Sequence, residues 1–196
     1  MNGYVFGDGH ATWDGDAWTR VMTSHYHHAD NYVRAKWYKM QWHKLAELKS
    51  YDVVIWIDGT IQLKALPDMS WTLTHDVLGF HHQARKDNHA EALASTDVRF
   101  EKHQDGLKRQ LALYPKSTWL AVTCVLMNRR CEAVEKMYDL WFESIIEYGP
   151  QEQVALPYAC DEFGVRVVLL NDGITHLNTQ YFAKHSHLTK YKDYNS

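Results

Sequence analysis

Long apolar runs are missing from this 196-residue sequence. No stretch approaches the ~20 consecutive apolar residues that a bilayer-spanning helix needs. The first twenty residues carry Asp, Trp and Gly in place of the apolar core of a signal peptide. We therefore expect a cytoplasmic protein without a transmembrane segment.

Cysteine and basic residues are also too few for several classes of protein. The three cysteines, Cys124, Cys131 and Cys160, are widely spaced and odd in number, which fits neither a disulfide framework nor a two-plus-two zinc site. The formal net charge of −3 leaves no broad basic surface for a phosphate backbone. We expect free thiols and no nucleic-acid partner.

The sequence does contain enough apolar material for one core. Hydrophobic residues make up 45% of the chain and aromatic residues 13%, and no Gly/Ser-rich linker or internal repeat divides it. We expect a single domain over residues 1–196. The polar, aromatic and basic stretch 180–196 is expected to be either a frayed tail or a lid over the site.

Apolar runs alternate with helical patterns. Helices are predicted over residues 30–48 and 131–148, where apolar side chains recur at helical spacing. Continuous apolar runs at 53–57, 118–127 and 165–170 are typical of buried strands. This alternation predicts a layered α/β sheet, with the strand at 53–57 buried on both faces.

Asp58 is the first candidate for chemistry. It follows the predicted strand 53–57, and α/β sheets place ligands at the carboxyl ends of strands. Gly59 allows the backbone to approach a bound group, and a hard carboxylate oxygen suits Mn²⁺ or Mg²⁺ on a diphosphate. The alternative is that Asp58 only caps the following turn.

The thirteen histidines offer few clean ligand spacings. His185 and His187 differ because they stand together in Lys184-His-Ser-His187, in a polar segment that could fold back over the strand ends. Either is a candidate metal ligand. The alternative for both is a solvated tail.

Four short segments carry a resemblance to a known family. They are Ala35-Lys-Trp-Tyr-Lys39, Tyr51-Asp-Val-Val-Ile-Trp-Ile-Asp-Gly59, Trp141-Phe-Glu143 and Gln151-Glu-Gln153. The chain resembles the glycosyltransferase-like family that includes the N-terminal sugar-transfer domain of a chlorella-virus capsid-glycosylating enzyme and related plant and bacterial proteins. The resemblance implies a GT-A-like, Rossmann-like α/β fold with a mixed, mostly parallel sheet flanked by helices.

The resemblance also implies a metal and phosphate site. Asp58 would stand in for the DXD motif and hold Mn²⁺, or Mg²⁺, against a nucleoside diphosphate-sugar, with a UDP-sugar as the expected donor. Lys39 would contact phosphate, and His185 would complete the metal shell, with His187 as the alternative ligand. Lys39 and Arg34 could also supply the cations that the departing diphosphate requires. For both, the alternative is a solvated helix face.

A sugar pocket and a catalytic carboxylate follow from the same resemblance. His82, Arg85 and Glu91 match a His-x-x-Arg…Glu-Ala segment that lines the sugar pocket. Where the family has an Arg-Asp-Gln triplet, this sequence departs from it with Gln151-Glu152-Gln153, so Glu152, with its longer side chain, would take the role of the Asp as base or stabilising carboxylate. Because either geometry fits, the choice between retention and inversion stays open.

The beginning of the chain departs from the family pattern. Tyr4-Val-Phe-Gly-Asp8 stands where the family has a Phe-Thr-Asp turn, and Asp8 joins the expected nucleotide-sugar-binding residues. The sequence starts at what resembles the family's second strand. We therefore expect the first strand and its loop to be absent.

The expected activity is hexosyl transfer to a sugar hydroxyl of a glycan or glycoprotein acceptor. One alternative is a nucleotidyltransferase or sugar-phosphate hydrolase that uses the same strand-end aspartate. Another is a non-catalytic carbohydrate-binding module, because eight Trp and twelve Tyr could form stacking platforms for sugar rings.

Overall fold

The computed structural model describes residues 3–7, 18–22, 25–59, 61–65, 68–95, 98–170 and 181–184. Its strands are β1 Gly3–Gly7, β2 Trp18–Met22, β3 Val53–Ile57, β4 Ile61–Leu63, β5 Val77–His81, β6 Ala121–Arg129, β7 Val167–Leu170 and β8 Phe182–Lys184. Its α-helices are α1 Asn31–Met40, α2 Asn88–Ala94, α3 Gln104–Leu113, α4 Glu132–Tyr148 and α5 Glu152–Glu162. None of these described helices has the length and apolar character needed to span a membrane.

The central sheet has four strands in the order β3-β6-β5-β7. The mixed sheet is confirmed, but the expectation that it is mostly parallel is wrong. Strand β6 lies between β3 and β5 and is antiparallel to both, so one of the three strand pairings described in this sheet, β5 with β7, is parallel. Outside this sheet, β1 and β2 also pair in parallel. Apolar runs reveal that strands exist, whereas strand direction depends on pairings between distant segments.

Strand β3 is an outer strand of the described sheet. The expectation that it is buried on both faces is wrong. All five of its residues are half-buried. Alternate side chains contribute to two apolar clusters, with Val54 and Trp56 on one face and Val53, Ile55 and Ile57 on the other. A continuous apolar run therefore reflects contact on both faces without complete burial on either.

Three of the four strands, β3, β5 and β7, run in one direction and end at the same edge of the sheet. The first residues of β6 lie at that edge too, because Ala121 is opposite His81 and Val125 is opposite Ile57. The segments that follow β3 and β5 therefore begin at one edge, which we call the site edge.

A two-stranded sheet brings the C-terminal segment next to this edge. Strand β8 pairs antiparallel with β4, so that Lys184 is opposite Ile61 and Phe182 is opposite Leu63. The Ile61 N–H donates to the Asp58 carbonyl over 2.9 Å. Lys184 thus lies opposite the turn that follows β3.

The predicted helix over 30–48 is shorter in the structure. Asp30 caps its start, and its carboxylate accepts from the Tyr32 and Val33 N–H groups. The helix ends at Met40, and 3₁₀ turns over Trp42–Lys44 and Ala46–Leu48 replace its second half. The amide of Gln41 donates to the Tyr138 carbonyl, which ties the break to α4.

The core lies mainly between the sheet and helices α1, α4 and α5. Its fully buried large side chains include Met40, Trp42, Met137, Tyr138, Trp141 and Ile145. The predicted helix over 131–148 is confirmed as α4, and it ends at Gly149, whose φ of +109° favours glycine. The other sheet face carries a smaller cluster around Trp71, Phe80 and Met127. Sheet and helices together form a single α/β domain.

An ion cluster joins three strands at the sheet edge opposite the site. Asp76 precedes β5 and pairs with Arg129 of β6 and with Arg166, which precedes β7. The Arg166 hydrogen bonds hold the pKa of Asp76 well below its usual range, against an opposing effect of burial, and Arg129 adds to the lowering. This carboxylate therefore stays ionised and stabilises the sheet above the acidic range.

Candidate functional site

Asp58 emerges from β3 at the site edge. Its N–H donates to the Cys124 carbonyl over 2.8 Å, which continues the pairing of β3 with β6. Its side chain is 38% exposed, and Oδ1 accepts a hydrogen bond from the Trp56 indole over 2.6 Å. Among the described residues, no group pairs with Oδ2. The carboxylate is therefore oriented by the protein and open to a ligand.

The side chain of Lys39 is 1% exposed, so a solvated helix face is excluded for this residue. Its Nζ donates to Glu152 Oε1 over 2.7 Å and lies 3.8 Å from Asp58 Oδ1. The ammonium also lies over the rings of Trp56 and Trp141, at 5.8 and 6.0 Å from their centroids. Lys39 therefore joins the two predicted catalytic carboxylates inside the protein.

Glu152, the first residue of α5, is buried against two lysines. Its Oε1 accepts from Lys39 and, over 2.6 Å, from the Thr123 hydroxyl, while Oε2 lies 2.8 Å from Lys36 Nζ. Burial raises the pKa of Glu152, but Lys39 and then Lys36 outweigh it and lower the pKa to about 2. The carboxylate is therefore ionised at neutral pH and is a weak proton acceptor.

A second cluster follows the end of β5. Arg85 Nε donates to Oε2 of buried Glu91, and the Arg85 N–H donates to His82 Nδ1 over 3.0 Å. Gln151 donates to Glu91 Oε1 over 2.9 Å. Burial lowers the pKa of His82, Glu91 opposes this shift, and Arg85 adds to it. Arg85 Nη2 also lies 3.0 Å from His82 Nε2, so both ring nitrogens face donor groups of Arg85.

The beginning of α5 joins these two clusters. Gln151 binds Glu91, and the next residue, Glu152, binds Lys39 and Lys36. Gln153 donates to the Ala121 carbonyl over 3.0 Å, at the first residue of β6. The predicted residues of the sugar pocket and the predicted catalytic carboxylate are thus connected through two consecutive residues, the N-cap Gln151 and the first helical residue Glu152.

Arg34 lies apart from Lys39, although both were expected to provide cations to one ligand. Residues three or four apart are neighbours on a helix surface, whereas Arg34 and Lys39 are five apart. The Arg34 side chain makes no ion pair within the described chain. Lys36, three residues before Lys39, pairs with the same carboxylate, Glu152.

Gly59 is exposed, and a Cβ built on it would have no atom of the described residues within 4 Å. The backbone beside Asp58 is therefore open to an approaching group. Asp8, His185 and His187, also predicted as site residues, lie outside the described residues.

The described residues include no group of three or more His, Cys, Asp or Glu side chains placed to hold a metal ion. Asp58 supplies one suitable oxygen ligand, because its carboxylate is partly exposed and held through its other oxygen. The two candidate imidazoles, His185 and His187, come shortly after Lys184 in the sequence. Their role as metal ligands remains a prediction.

Three residues of the site were missed at the sequence level. Lys36 lies in the same motif as Lys39, three residues earlier, and this spacing could have identified it. Trp56 precedes Asp58 by two residues along the strand direction, which places both side chains on one face. No sequence signal indicates Thr123, because its contact with Glu152 depends on the packing of α5 against β6.

Comparison with known proteins finds no family whose sequence pattern matches this chain and no curated protein with significant similarity to it. The resemblance to glycosyltransferases therefore stays a prediction based on the quoted motifs.

Proposed function

We propose that the chain is a metal-dependent glycosyltransferase that moves a hexosyl group from a nucleoside diphosphate-sugar, with UDP as the expected nucleotide, to a sugar hydroxyl. The observation that carries this proposal is the Asp58 carboxylate. It is partly exposed at the carboxyl end of β3 and is held through Oδ1 by Trp56. The GT-A-like fold is part of the same proposal.

The surroundings of Asp58 support a diphosphate ligand. Strands β3 and β5 both end at the site edge, so the Asp58 turn and the segment that begins with His82 leave the sheet together. Open space beside Gly59 gives a ligand access to the backbone. A Mn²⁺ or Mg²⁺ ion held by Asp58 would neutralise charge on the departing diphosphate.

The C-terminal segment supports the same location. Strand β8 ends at Lys184, opposite Ile61, which is three residues from Asp58. His185 is the next residue along the chain. In our proposal His185, or alternatively His187, is the second metal ligand.

Glu152 was predicted to be either a base or a stabilising carboxylate, and we propose the second role. Its oxygens bind Lys39, Lys36 and Thr123, and a carboxylate with a pKa of about 2 takes a proton poorly near neutral pH. In this role Glu152 positions the lysines near the diphosphate.

We propose that His82, Arg85 and Glu91 line the pocket for the transferred sugar. The three side chains lie in one network after β5, and Arg85 is about one-third exposed, with a relative side-chain exposure of 32%. Guanidinium and imidazole groups can donate to sugar hydroxyls. Gln151 donates a hydrogen bond to Glu91 and directly precedes Glu152, so it connects this pocket to Glu152.

The test begins with purified protein and a panel of nucleotide-sugars assayed for released nucleoside diphosphate. We expect metal-dependent release, with Asp58→Asn reducing it to background because the amide loses the charge that holds the metal. Asp52→Asn is the matched control, since this exposed aspartate precedes the same strand. Unchanged turnover in Asp58→Asn would remove the metal assignment.

A thermal shift tests binding separately from turnover. UDP or GDP together with Mn²⁺ is expected to raise the melting temperature more than either component alone, because a ligand selective for the folded state stabilises it. Product analysis then separates transfer from hydrolysis or nucleotidyl transfer. Metal-independent glycan binding without nucleotide binding would instead indicate a carbohydrate-binding module.

A further inference from the structure

We infer that Lys36 is the lysine that contacts the diphosphate and that Lys39 is an internal cation that positions Glu152 and Asp58. This inference rests on the proposed function and refines the assignment of phosphate binding within the same site. It concerns two basic residues of one motif whose surroundings differ.

Lys39 is enclosed by protein. Its side chain is 1% exposed, its Nζ binds Glu152 over 2.7 Å, and the rings of Trp56 and Trp141 lie within 6.0 Å. A direct contact with phosphate would require this ammonium to leave its buried ion pair with Glu152, and breaking a buried pair is costly. Lys39 is therefore suited to hold the two carboxylates in place.

Lys36 occupies the outer position on the same helix face. Its side chain is 22% exposed and its Nζ lies 2.8 Å from Glu152 Oε2. A lysine ammonium has three N–H donors, and Glu152 is the one acceptor that the described residues provide for Lys36. The remaining donors can reach a ligand while the ion pair with Glu152 stays in place.

The charge balance favours an anion beside Lys36 once a metal is bound. Lys36 and Lys39 carry two positive charges, and Glu152 and Asp58 carry two negative charges, so the four groups balance. A divalent cation at Asp58 makes this set positive. A diphosphate is the ligand that restores the balance, and Lys36 is the more exposed of the two lysines to receive it.

The experiment compares Kd values for UDP and UMP, both with Mn²⁺, in the wild type and in Lys36→Met. We expect Lys36→Met to weaken UDP binding about tenfold or more, as for loss of one hydrogen bond to a charged group. UMP binding should change less, so the preference for UDP should fall. Lys49→Met is the charge-matched control, because Lys49 is exposed and lies outside this cluster.

Two further variants separate ligand contact from structural damage. Lys36→Arg keeps a cation beside Glu152 and should retain most of the UDP preference. If Lys36→Met does not fold, Lys36→Gln provides an uncharged side chain that can still donate to Glu152. The melting temperature without ligand shows whether each variant is folded.

The outcomes distinguish this inference from the proposed function. If the wild type binds neither nucleotide with Mn²⁺, the proposed function fails and this inference fails with it. If the wild type binds UDP and the folded, uncharged variant of Lys36 binds it equally well with the same preference over UMP, only the assignment of Lys36 is overturned.

Discussion

The buried carboxylate of Glu152 allows a quantitative prediction about stability. In Glu152→Gln, the Lys39 ammonium keeps its buried position but loses the negative charge of its partner at 2.7 Å, and the other carboxylate, Asp58 Oδ1, is 3.8 Å away. Lowering the pKa from an ordinary 4.5 to about 2 corresponds to roughly 3 kcal/mol. Breaking a buried pair by removing one partner costs a similar ~3–5 kcal/mol. We therefore expect a loss of about 3 kcal/mol in the free energy of unfolding.

Urea denaturation at neutral pH measures this loss. Glu162→Gln is the matched control, since Glu162 is exposed at the other end of α5, and its effect should stay within about 0.5 kcal/mol. A loss below about 1 kcal/mol in Glu152→Gln would refute the buried ion pair as described.

The pH dependence gives a second measurement of the same interaction. Because the pKa of Glu152 is lowered on folding, its contribution is present above pH 4.5 and is lost as the pH falls towards about 2. The wild type should therefore lose stability more steeply over this range than Glu152→Gln. Parallel pH profiles of the two proteins would contradict the lowered pKa.

Two further predictions concern the ion cluster of Asp76 and the turn at Gly59. Asp76→Asn removes the partner of Arg129 and Arg166, and we expect it to cost about 2 kcal/mol by urea denaturation, since Arg166 is half exposed and partly screened. Exposed Asp105→Asn is its control, and equal stability of the two variants would exclude a stabilising role for the cluster. Gly59→Ala should change stability by less than about 0.5 kcal/mol, because the added Cβ meets no neighbour, while weakening the binding of UDP with Mn²⁺. Unchanged affinity would show that no ligand approaches this backbone.

Strands and helices could be predicted from the sequence better than their arrangement in the fold. Strand β3 and helix α4 were predicted because apolar periodicity is a local property. The reversed direction of β6 could not be predicted, since it depends on which distant strands pair. The end of α1 at Met40 was missed for a similar reason, because Gln41 turns towards a carbonyl of α4.

The candidate site was predicted only in part, because some of its contacts join segments that are distant in the chain. The structure joins His82, Arg85 and Glu91 in one network, while their place in a sugar pocket stays a prediction. For Lys39 the sequence predicted a phosphate contact, with a solvated helix face as the alternative, and neither prediction included its burial. Its burial became evident only with its partner Glu152, more than one hundred residues away in the chain.

The junction at the start of α5 limits where the chain can change length. Gln151 and Glu152 are consecutive, yet each binds a different cluster. Gln151 precedes the helix and Glu152 is its first residue, so a residue inserted between them would lengthen the backbone that joins their side chains. At this peptide bond an insertion would therefore disconnect one cluster from the other.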